Sequence, residues 1–191
     1  MKEERFPSSA EVEQELNRER YRKRYKRTLK STVFALVTAA AAAVLVAALW
    51  LPVLEIFGSS MTPTLAAGQY VVAVKDDTPQ TGDIVAFYYG NKVLVKRCIA
   101  GPGSWVDILE DGTVMVDGRP LDEPYLKQKH FGICDLELPY QVPEGTYFLM
   151  GDERETSADS RHSSIGCIPV DQMVGKIVYR VWPLEAIGTV K

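Results

Sequence analysis

The pattern of hydrophobic and polar positions changes twice along the chain. Residues 1–30 are mostly charged or polar, and residues 33–54 form a run of 22 uncharged, mainly apolar residues. As a helix this run is ~33 Å long, enough to cross the roughly 30 Å hydrocarbon core of a bilayer. We therefore predict a basic arm over 1–30, a transmembrane helix over 31–54 and an exported domain over 55–191.

The part of the chain after Glu55 is predicted to be mostly antiparallel β, because short runs rich in Val, Ile, Tyr and Phe alternate with Gly, Pro and Asp. Asp111-Gly112 and Asp117-Gly118 accept the positive φ angles of tight turns, so residues 104–120 are predicted to form a hairpin and a further reversal. No long amphipathic helical pattern follows Leu54. The other candidate strands are 69–74, 83–89, 92–99, 146–150 and 173–182.

Charge divides the chain in the same place. Residues 1–30 hold ten Lys/Arg and six Glu, a net of +4, whereas residues 31–191 hold twelve Lys/Arg and nineteen Asp/Glu, a net of −7. An acidic main domain argues against nucleic-acid binding, which needs a basic surface. The basic arm, with eight Lys/Arg between Arg18 and Lys30, predicts a cytoplasmic N-terminus, contact with the lipid bilayer and an extracytoplasmic main domain. A cleaved signal peptide has a shorter apolar stretch, so an uncleaved single-pass anchor is favoured.

The cysteines do not predict a metal site. Cys134 and Cys167 are compatible with a disulfide in an exported domain, and free thiols are equally compatible with the sequence. There is no C-x-x-C motif and no Cys/His spacing typical of a metal centre. We therefore predict chemistry that needs neither a metal nor an organic cofactor.

Three segments are candidates for carrying chemistry. The first, FGSSMTPTL, spans 57–65, close behind the predicted membrane boundary; the second, VKRCIAGPG, spans 95–103; the third, GDERETSADSR, spans 151–161. A serine in a Gly/Ser turn is ordinarily a solvated turn residue. Most charges of the third segment are interpreted as a rim of ion pairs that holds a loop in shape.

Lys96 is unusual because it lies inside the apolar run VLVKRCI. In an extended strand, Leu94, Lys96 and Cys98 share one face, where apolar neighbours disfavour the charged amine. To serve as a base near neutral pH, its pKa must fall about 2–3 units below the reference value. The alternative is an edge-strand lysine whose amine extends to water.

Taken together and in this order behind an N-terminal anchor, the motifs S-M-x-P-T, K-R and G-D-x-R-x-x-S-x-D-S-R resemble those of the bacterial type I signal peptidases, in particular the short, single-anchor members. The resemblance extends from the apolar stretch to about Val181. It implies a membrane-bound serine endopeptidase that removes signal peptides from exported preproteins after Ala-x-Ala. It also implies the mostly β Ser/Lys-protease fold shared with the self-cleaving repressor proteases.

The same resemblance implies residue roles. Ser60 is the nucleophile and Lys96 the general base, Met61 lines the substrate pocket, and Ser157 hydrogen-bonds the lysine amine. Asp159 and Arg161 match a structural ion pair, and Asp152 a further supporting residue. Two positions differ from the pattern: Glu153 replaces a common Asn, and Gly58 replaces a serine that supplies an oxyanion-hole hydroxyl in longer members. The Ser60 backbone N–H is then the main identifiable oxyanion donor.

Two other functions are compatible with parts of the sequence. A Ser-His-Asp hydrolase would need His130 or His162 beside Ser60, although both read as solvated loop residues. A membrane-tethered, non-catalytic assembly factor would need the fold alone, and the presence of both Ser60 and Lys96 argues against it. The sequence leaves open which preproteins are cut, whether the enzyme is general or specialised, and its oligomeric state.

Overall fold

The computed structural model describes residues 9–75 and 78–190. The chain divides into two compact units, with the division between Leu49 and Trp50. The first unit is one long helix and the second is built from antiparallel strands, in agreement with the predicted fold class.

Helix α1 spans Ser9–Trp50. It includes most of the charged arm, where Glu19 pairs with Lys23 at 3.3 Å and Tyr21 stacks on Tyr25. Such i,i+4 pairs stabilise an exposed helix, so the arm from Ser9 onward is helical. Within residues 9–75 and 78–190, one helix, over Val12–Leu45, is long and apolar enough to cross a membrane.

The end of α1 differs from the predicted transmembrane boundary at Leu54. The helix stops at Trp50, and strand β1 occupies Val53–Glu55. Pro52 accounts for the stop, because proline disfavours helical geometry in the residue before it. Within the apolar part, Thr38 donates its hydroxyl proton to the Phe34 carbonyl at 2.8 Å, which satisfies that hydroxyl without water.

The main sheet carries the candidate chemistry. Strands β2 to β4 are Tyr70–Val74, Ile84–Tyr89 and Lys92–Ala100, and strands β9 to β12 are Thr146–Met150, Ile168–Pro169, Met173–Trp182 and Gly188–Thr189. The order across the sheet is β1-β2-β11-β3-β4-β9-β10, with β12 paired to β11, and every pairing is antiparallel. The predicted strands 146–150 and 173–182 have these bounds, and the other three agree to within one residue.

A second sheet lies between β4 and β9 in the sequence. Its order is β7-β6-β5-β8, from β5 (Trp105–Ile108), β6 (Val114–Val116), β7 (Arg119–Pro120) and β8 (Tyr140–Gln141). The predicted second reversal is the β6–β7 turn, where Asp117 and Gly118 adopt φ of 51° and 74°. Two successive positive φ angles are typical of the type I′ turn that matches strand twist.

Three clusters of buried apolar side chains hold the second unit together. One includes Ile56 and, from the first candidate segment, Met61 and Leu65. Another lies under the second sheet, and the third includes Cys98 of β4 and Leu149 of β9, with Leu94 packed against it. Strand β4 thus packs against the third cluster through Leu94 and Cys98, on the face that the sequence also assigns to Lys96.

Candidate active site

Ser60 lies in the turns that follow β1. Its side chain is half-buried, while the next residue, Met61, is buried in the first apolar cluster. The Met61 carbonyl accepts a hydrogen bond from Leu65 N at 2.8 Å, and the Ser60 carbonyl accepts one from Glu153 N at 3.0 Å. The backbone at Ser60 is therefore held from both sides while its side chain stays accessible.

Lys96 is buried in the sheet rather than extended to water. Its residue is 4% exposed, and its Nζ lies 2.8 Å from the hydroxyl of Ser157. Burial lowers the pKa of Lys96 to about 8, against an opposing effect of Asp159 and with a further lowering from Arg161. Because its pKa is lowered, the Lys96 amine is neutral, with a free nitrogen lone pair, at a pH well below the usual range for lysine.

Ser60 and Lys96 line the same two cavities. The larger, about 710 Å³, lies between the residues of β1 with the turn after it and residues 92–96 of β4, and Met61 also lines it. The smaller, about 490 Å³, includes Ala158 and Ile165. Each of the two cavities is thus lined by both sequence-predicted residues.

Gly151 explains how the third segment approaches this point. A Cβ added at Gly151 would overlap the Ser157 hydroxyl and the Ser60 carbonyl oxygen. Only a residue without a side chain lets the loop after β9 come this close to the Ser60 turn. The first residue of the third segment is therefore a packing requirement of the site.

Asp159 and Arg161 form a fully buried bidentate pair. Arg161 Nε donates to Asp159 Oδ1 at 2.8 Å and Arg161 Nη2 donates to Oδ2 at 2.9 Å, and Gly151 N donates to Asp159 Oδ2 at 2.9 Å. Burial by itself raises the pKa of Asp159, but the hydrogen bonds and charge of Arg161 outweigh it and hold that pKa below 3.8. The pair fixes the loop that carries Ser157.

Asp152 pairs with Arg97, the residue next to Lys96. Arg97 Nε donates to Asp152 Oδ1 at 2.8 Å and Nη2 donates to Oδ2 at 2.7 Å. The hydroxyl of Thr64 also donates to Asp152. Asp152 therefore ties the third segment both to β4 and to the turn that carries Ser60.

A third buried pair was not found from the sequence. Arg154 binds Glu123 through both terminal nitrogens and donates from Nε to the Gly151 carbonyl at 3.1 Å. Tyr125 donates to Glu123 at 2.9 Å, and its ring lies 3.7 Å from Arg97 Cζ. In the sequence, this pair is indicated only by the carboxylate and tyrosine of the short stretch DEPY. Such residues are common in surface loops, so they did not predict a buried partner for Arg154.

These pairs correct one interpretation of the sequence. The charges of the third segment were interpreted as a rim of ion pairs that holds a loop in shape, but the side chains of all three pairs are at most 1% exposed. Two of the pairs also reach outside the segment, to Arg97 and Glu123. Each buried charge has a partner, as burial of an ion demands.

The histidines do not belong to this site. Among the described residues that line the two cavities there is no histidine. His130 is exposed, and His162 lies half-buried in a turn whose backbone N–H bonds the Asp159 carbonyl at 3.0 Å. The arrangement gives no support to a Ser-His-Asp triad.

The cysteines are free thiols in this structure. Cys134 and Cys167 are half-buried and unbridged, and Cys98 is buried in the third apolar cluster. Of the two arrangements that the sequence allowed, the structure has the free thiols.

Comparison with known proteins gives one consistent result. The sequence model of the family described as signal peptidase, peptidase S26, matches residues 29–182. The chain is 38% identical to signal peptidase IB of Staphylococcus aureus strain COL over 148 residues, 67% of this chain and 76% of that protein. It is 36% identical to signal peptidase I of Bacillus caldolyticus over 144 residues, 67% and 78% of the two chains.

One solved structure is also similar, a crystal structure of a signal peptidase I from Enterococcus faecalis V583. It is 30% identical, covers 52% of this chain and 96% of its own, and superposes with a TM-score of 0.45. The family match and the identities to curated relatives are sufficient for assignment. The chain belongs to the signal peptidase family, peptidase S26, and is a serine endopeptidase.

Proposed function

We propose that this chain removes signal peptides from exported preproteins after Ala-x-Ala, with Ser60 as the nucleophile and Lys96 as the general base. The observation that carries the proposal is the environment of Lys96. Its amine is buried, lies 2.8 Å from Ser157 Oγ and lines the same cavities as Ser60. Burial supplies the neutral amine that the chemistry requires.

In the acylation step, the neutral Lys96 amine accepts the proton of Ser60 Oγ as that oxygen attacks the scissile carbonyl. Collapse of the tetrahedral intermediate breaks the C–N bond, and the proton passes from Lys96 to the departing amine, which is the new N-terminus of the mature protein. In deacylation, Lys96 accepts a proton from water as the hydroxide adds to the ester carbonyl. The C–O bond to Ser60 then breaks, the signal peptide leaves with its new C-terminal carboxylate, and Lys96 returns the proton to Ser60 Oγ. The backbone N–H of Ser60 is the proposed donor to the developing oxyanion.

The supporting residues act through Lys96 and the loop. Ser157 orients the amine, and Asp159 and Arg161 fix the loop that presents Ser157. Asp152 joins that loop to Arg97 and Thr64, on either side of the reacting pair. These four are positioning residues, because their contacts are with other protein groups rather than with a scissile bond.

The substrate is proposed to bind as an extended strand in the larger cavity. In the described part of the chain, β1 pairs with β2 alone, and β9 pairs with β4 only from Arg97 onward, so residues 92–95 of β4 keep one unpaired backbone edge. Residues of both strands line the cavity. A peptide between them gains main-chain hydrogen bonds independent of sequence, and side-chain pockets supply the selection.

The decisive experiment compares cleavage of a preprotein with an Ala-x-Ala site by the detergent-solubilised full chain and its Ser60→Ala variant. The matched control is Ser59→Ala, because Ser59 is the adjacent exposed serine of the same turn. We expect no cleavage by Ser60→Ala and near-normal cleavage by Ser59→Ala. Equal activity of Ser60→Ala and the unmodified enzyme would exclude Ser60 as the nucleophile; a folded, inactive unmodified chain would favour the assembly-factor alternative.

The pH dependence of kcat/KM should report the ionisation of Lys96. Only the neutral amine is a base, so the rate should increase with pH and level off above pH 8, the value to which burial lowers the Lys96 pKa. Below that value we expect about a tenfold decrease per pH unit. The measurement is a kcat/KM profile from pH 5 to 10 with a peptide that has no titrating side chain. An acid limb centred near pH 6.5 would instead indicate a histidine base.

Ser157→Ala should reduce turnover more than binding. Without the hydroxyl at 2.8 Å from Nζ, the Lys96 amine loses its orienting partner, and we expect kcat to fall about tenfold or more with KM nearly unchanged. Ser163→Ala is the matched control, because that serine bonds Asp135 on the exposed part of the same loop. An unchanged kcat in Ser157→Ala would remove the orienting role.

The topology is proposed to place the N-terminus in the cytoplasm and the β unit outside the membrane. The basis is the excess of Lys/Arg between Arg18 and Lys30, before the apolar part of α1. Protease added to intact spheroplasts should digest an epitope tag at the C-terminus and spare one at the N-terminus. The opposite pattern of protection would reverse the orientation and remove access to exported substrates.

A further inference from the structure

Apart from Ser60 and Lys96, the residues that line the smaller cavity have no role in the mechanism above. It is formed by residues from the end of the β3–β4 hairpin, from one face of β4 and from the loop that follows Ser157: Ser60, Tyr89, Asn91, Lys92, Leu94, Lys96, Ala158 and Ile165. The Tyr89 hydroxyl donates to the Ser164 carbonyl at 3.0 Å. That hydrogen bond joins the hairpin to the loop beside the cavity.

The two cavities share Lys92, Leu94 and Lys96 of β4, whereas Val93 and Val95 are among the lining residues of the larger cavity and not of the smaller one. Val95 packs against the buried cluster that contains Met61, on the side of the larger cavity. Leu94 packs against the cluster on the other side, together with Ile165. Residues 94 and 95 point to opposite faces because side chains alternate along a strand.

An extended substrate paired with the edge of β4 must alternate in the same way. The two alanines of Ala-x-Ala, one directly before the scissile bond and one two residues earlier, point to one face, and the middle residue points to the other. The Met61 side has a closely packed floor, which suits the small residues of Ala-x-Ala. The middle residue then points to the face of Leu94, where the smaller cavity opens.

We propose that the smaller cavity is the binding site for the middle side chain of the cleavage motif, and that it favours a long side chain with an acidic end. This inference rests on the proposed function and adds a specificity site to it. At about 490 Å³, the cavity has room for any natural side chain. Leu94 and Ile165 provide apolar contact, and Asn91 and Lys92 form a polar, exposed rim.

The charge preference comes from Lys92. A substrate residue beside Leu94 is diagonal to Lys92, ~7–8 Å away, which a glutamate and a lysine side chain span together. Among the described lining residues, the cavity has two lysines and no carboxylate. A glutamate in the middle position is therefore attracted, and a lysine there is repelled.

The test uses peptides that differ only in the middle residue of Ala-x-Ala, with Ala, Leu, Glu or Lys, and the full-length enzyme in detergent. For the unmodified enzyme we expect kcat/KM for Glu to exceed that for Lys about threefold to fivefold, in keeping with an exposed ion pair. In Lys92→Glu the ratio should fall below one. Lys127→Glu, the same charge change at an exposed lysine outside both cavities, should leave the ratio as in the unmodified enzyme.

A second variant tests the shape of the cavity. Ile165→Trp fills it from the loop side, so the ratio of kcat/KM for Leu over Ala in the middle position should fall several-fold. Because each result is a ratio for one enzyme, a general loss of activity cancels. Circular dichroism melting shows whether each variant is folded.

Several outcomes would overturn the proposal. One is a Glu/Lys ratio that does not change in Lys92→Glu together with a Leu/Ala ratio that does not change in folded Ile165→Trp. Another is an effect of Lys92→Glu on the Glu/Lys ratio that is absent for the middle residue and is seen only when the Glu or Lys of the peptide stands one position before Ala-x-Ala. Cleavage that depends on Ser60 but ignores the middle residue rejects this inference alone, whereas loss of all Ser60-dependent cleavage by the unmodified enzyme rejects the proposed function.

Discussion

Lys96→Arg is expected to abolish preprotein cleavage while substrate binding is retained. Arginine preserves the positive charge, but its pKa above about 12 prevents it from presenting a neutral nitrogen at working pH. If Lys96 is the general base, kcat should fall by about 10²–10⁴-fold or more. If Lys96 were only an ion-pair residue, arginine would largely substitute for it.

The size of arginine requires a second variant, because the Lys96 side chain is buried. Lys96→Met keeps nearly the same shape, removes the amine and should melt no lower than the unmodified protein, since a buried amine is costly to desolvate. We expect it to be equally inactive. A folded Lys96→Met that cleaves at the normal rate would refute the Ser/Lys mechanism.

The matched control for the arginine substitution is Lys176→Arg in β11. Lys176 forms a partly exposed ion pair with Asp83 at 2.7 Å, a role that arginine can fill. Its activity and stability should remain close to those of the unmodified enzyme. The contrast between the two Lys→Arg variants separates a base from a structural cation in the same sheet.

Asp159→Asn is expected to cause the largest loss of stability. It leaves the fully buried Arg161 guanidinium without its carboxylate partner, and breaking a buried pair from one side costs about 3–5 kcal/mol. The measurement is the free energy of unfolding of the full chain in detergent, from denaturant titration at pH 7. Asp135→Asn is the control, because that exposed carboxylate accepts hydrogen bonds from Ser163 of the same loop, and the substitution should leave the free energy of unfolding nearly unchanged.

The pH dependence gives an independent check of the same pair. The pKa of Asp159 in the folded protein lies below its ordinary value of 3.8. The stabilisation from its charged form is therefore present above pH 3.8 and is lost as the pH falls through the folded-state pKa. Asp159→Asn should lack this component of acid destabilisation. A loss below 1 kcal/mol at pH 7, with an unchanged acid limb, would show that Arg161 does not depend on Asp159.

The helix and most strands were predictable because their signals are local. The run from Val33 is apolar over more than one membrane thickness, and strands such as Thr146–Met150 are short β-branched or aromatic runs between turn residues. The Asp117-Gly118 turn was predictable for the same reason, since its two positive φ angles require these residue types. The position of Lys96 within an apolar strand was compatible with a buried amine and with one that extends to water, and the structure has the buried amine.

The sequence order of the three motifs, by resemblance, directed attention to Ser60, Lys96 and Ser157, and the hydrogen-bond distance between Lys96 and Ser157 agrees with that expectation. Their roles in catalysis remain proposals. What the sequence could not indicate was the burial of the surrounding charges. Charged residues in a polar loop look the same whether the loop faces water or packs against a sheet.

Tertiary structure alone decided how those charges pair. Arg97 and Asp152 are 55 residues apart, and Arg154 and Glu123 are 31 apart, so no periodicity links either pair. The pairs form because β4 and β9 are neighbours in the sheet and the second sheet inserts between them in the chain. Local patterns in the sequence determined the long apolar helix, the β character and the residue types of the candidate site. Strand order determined which distant charges are buried together and where the cavities open.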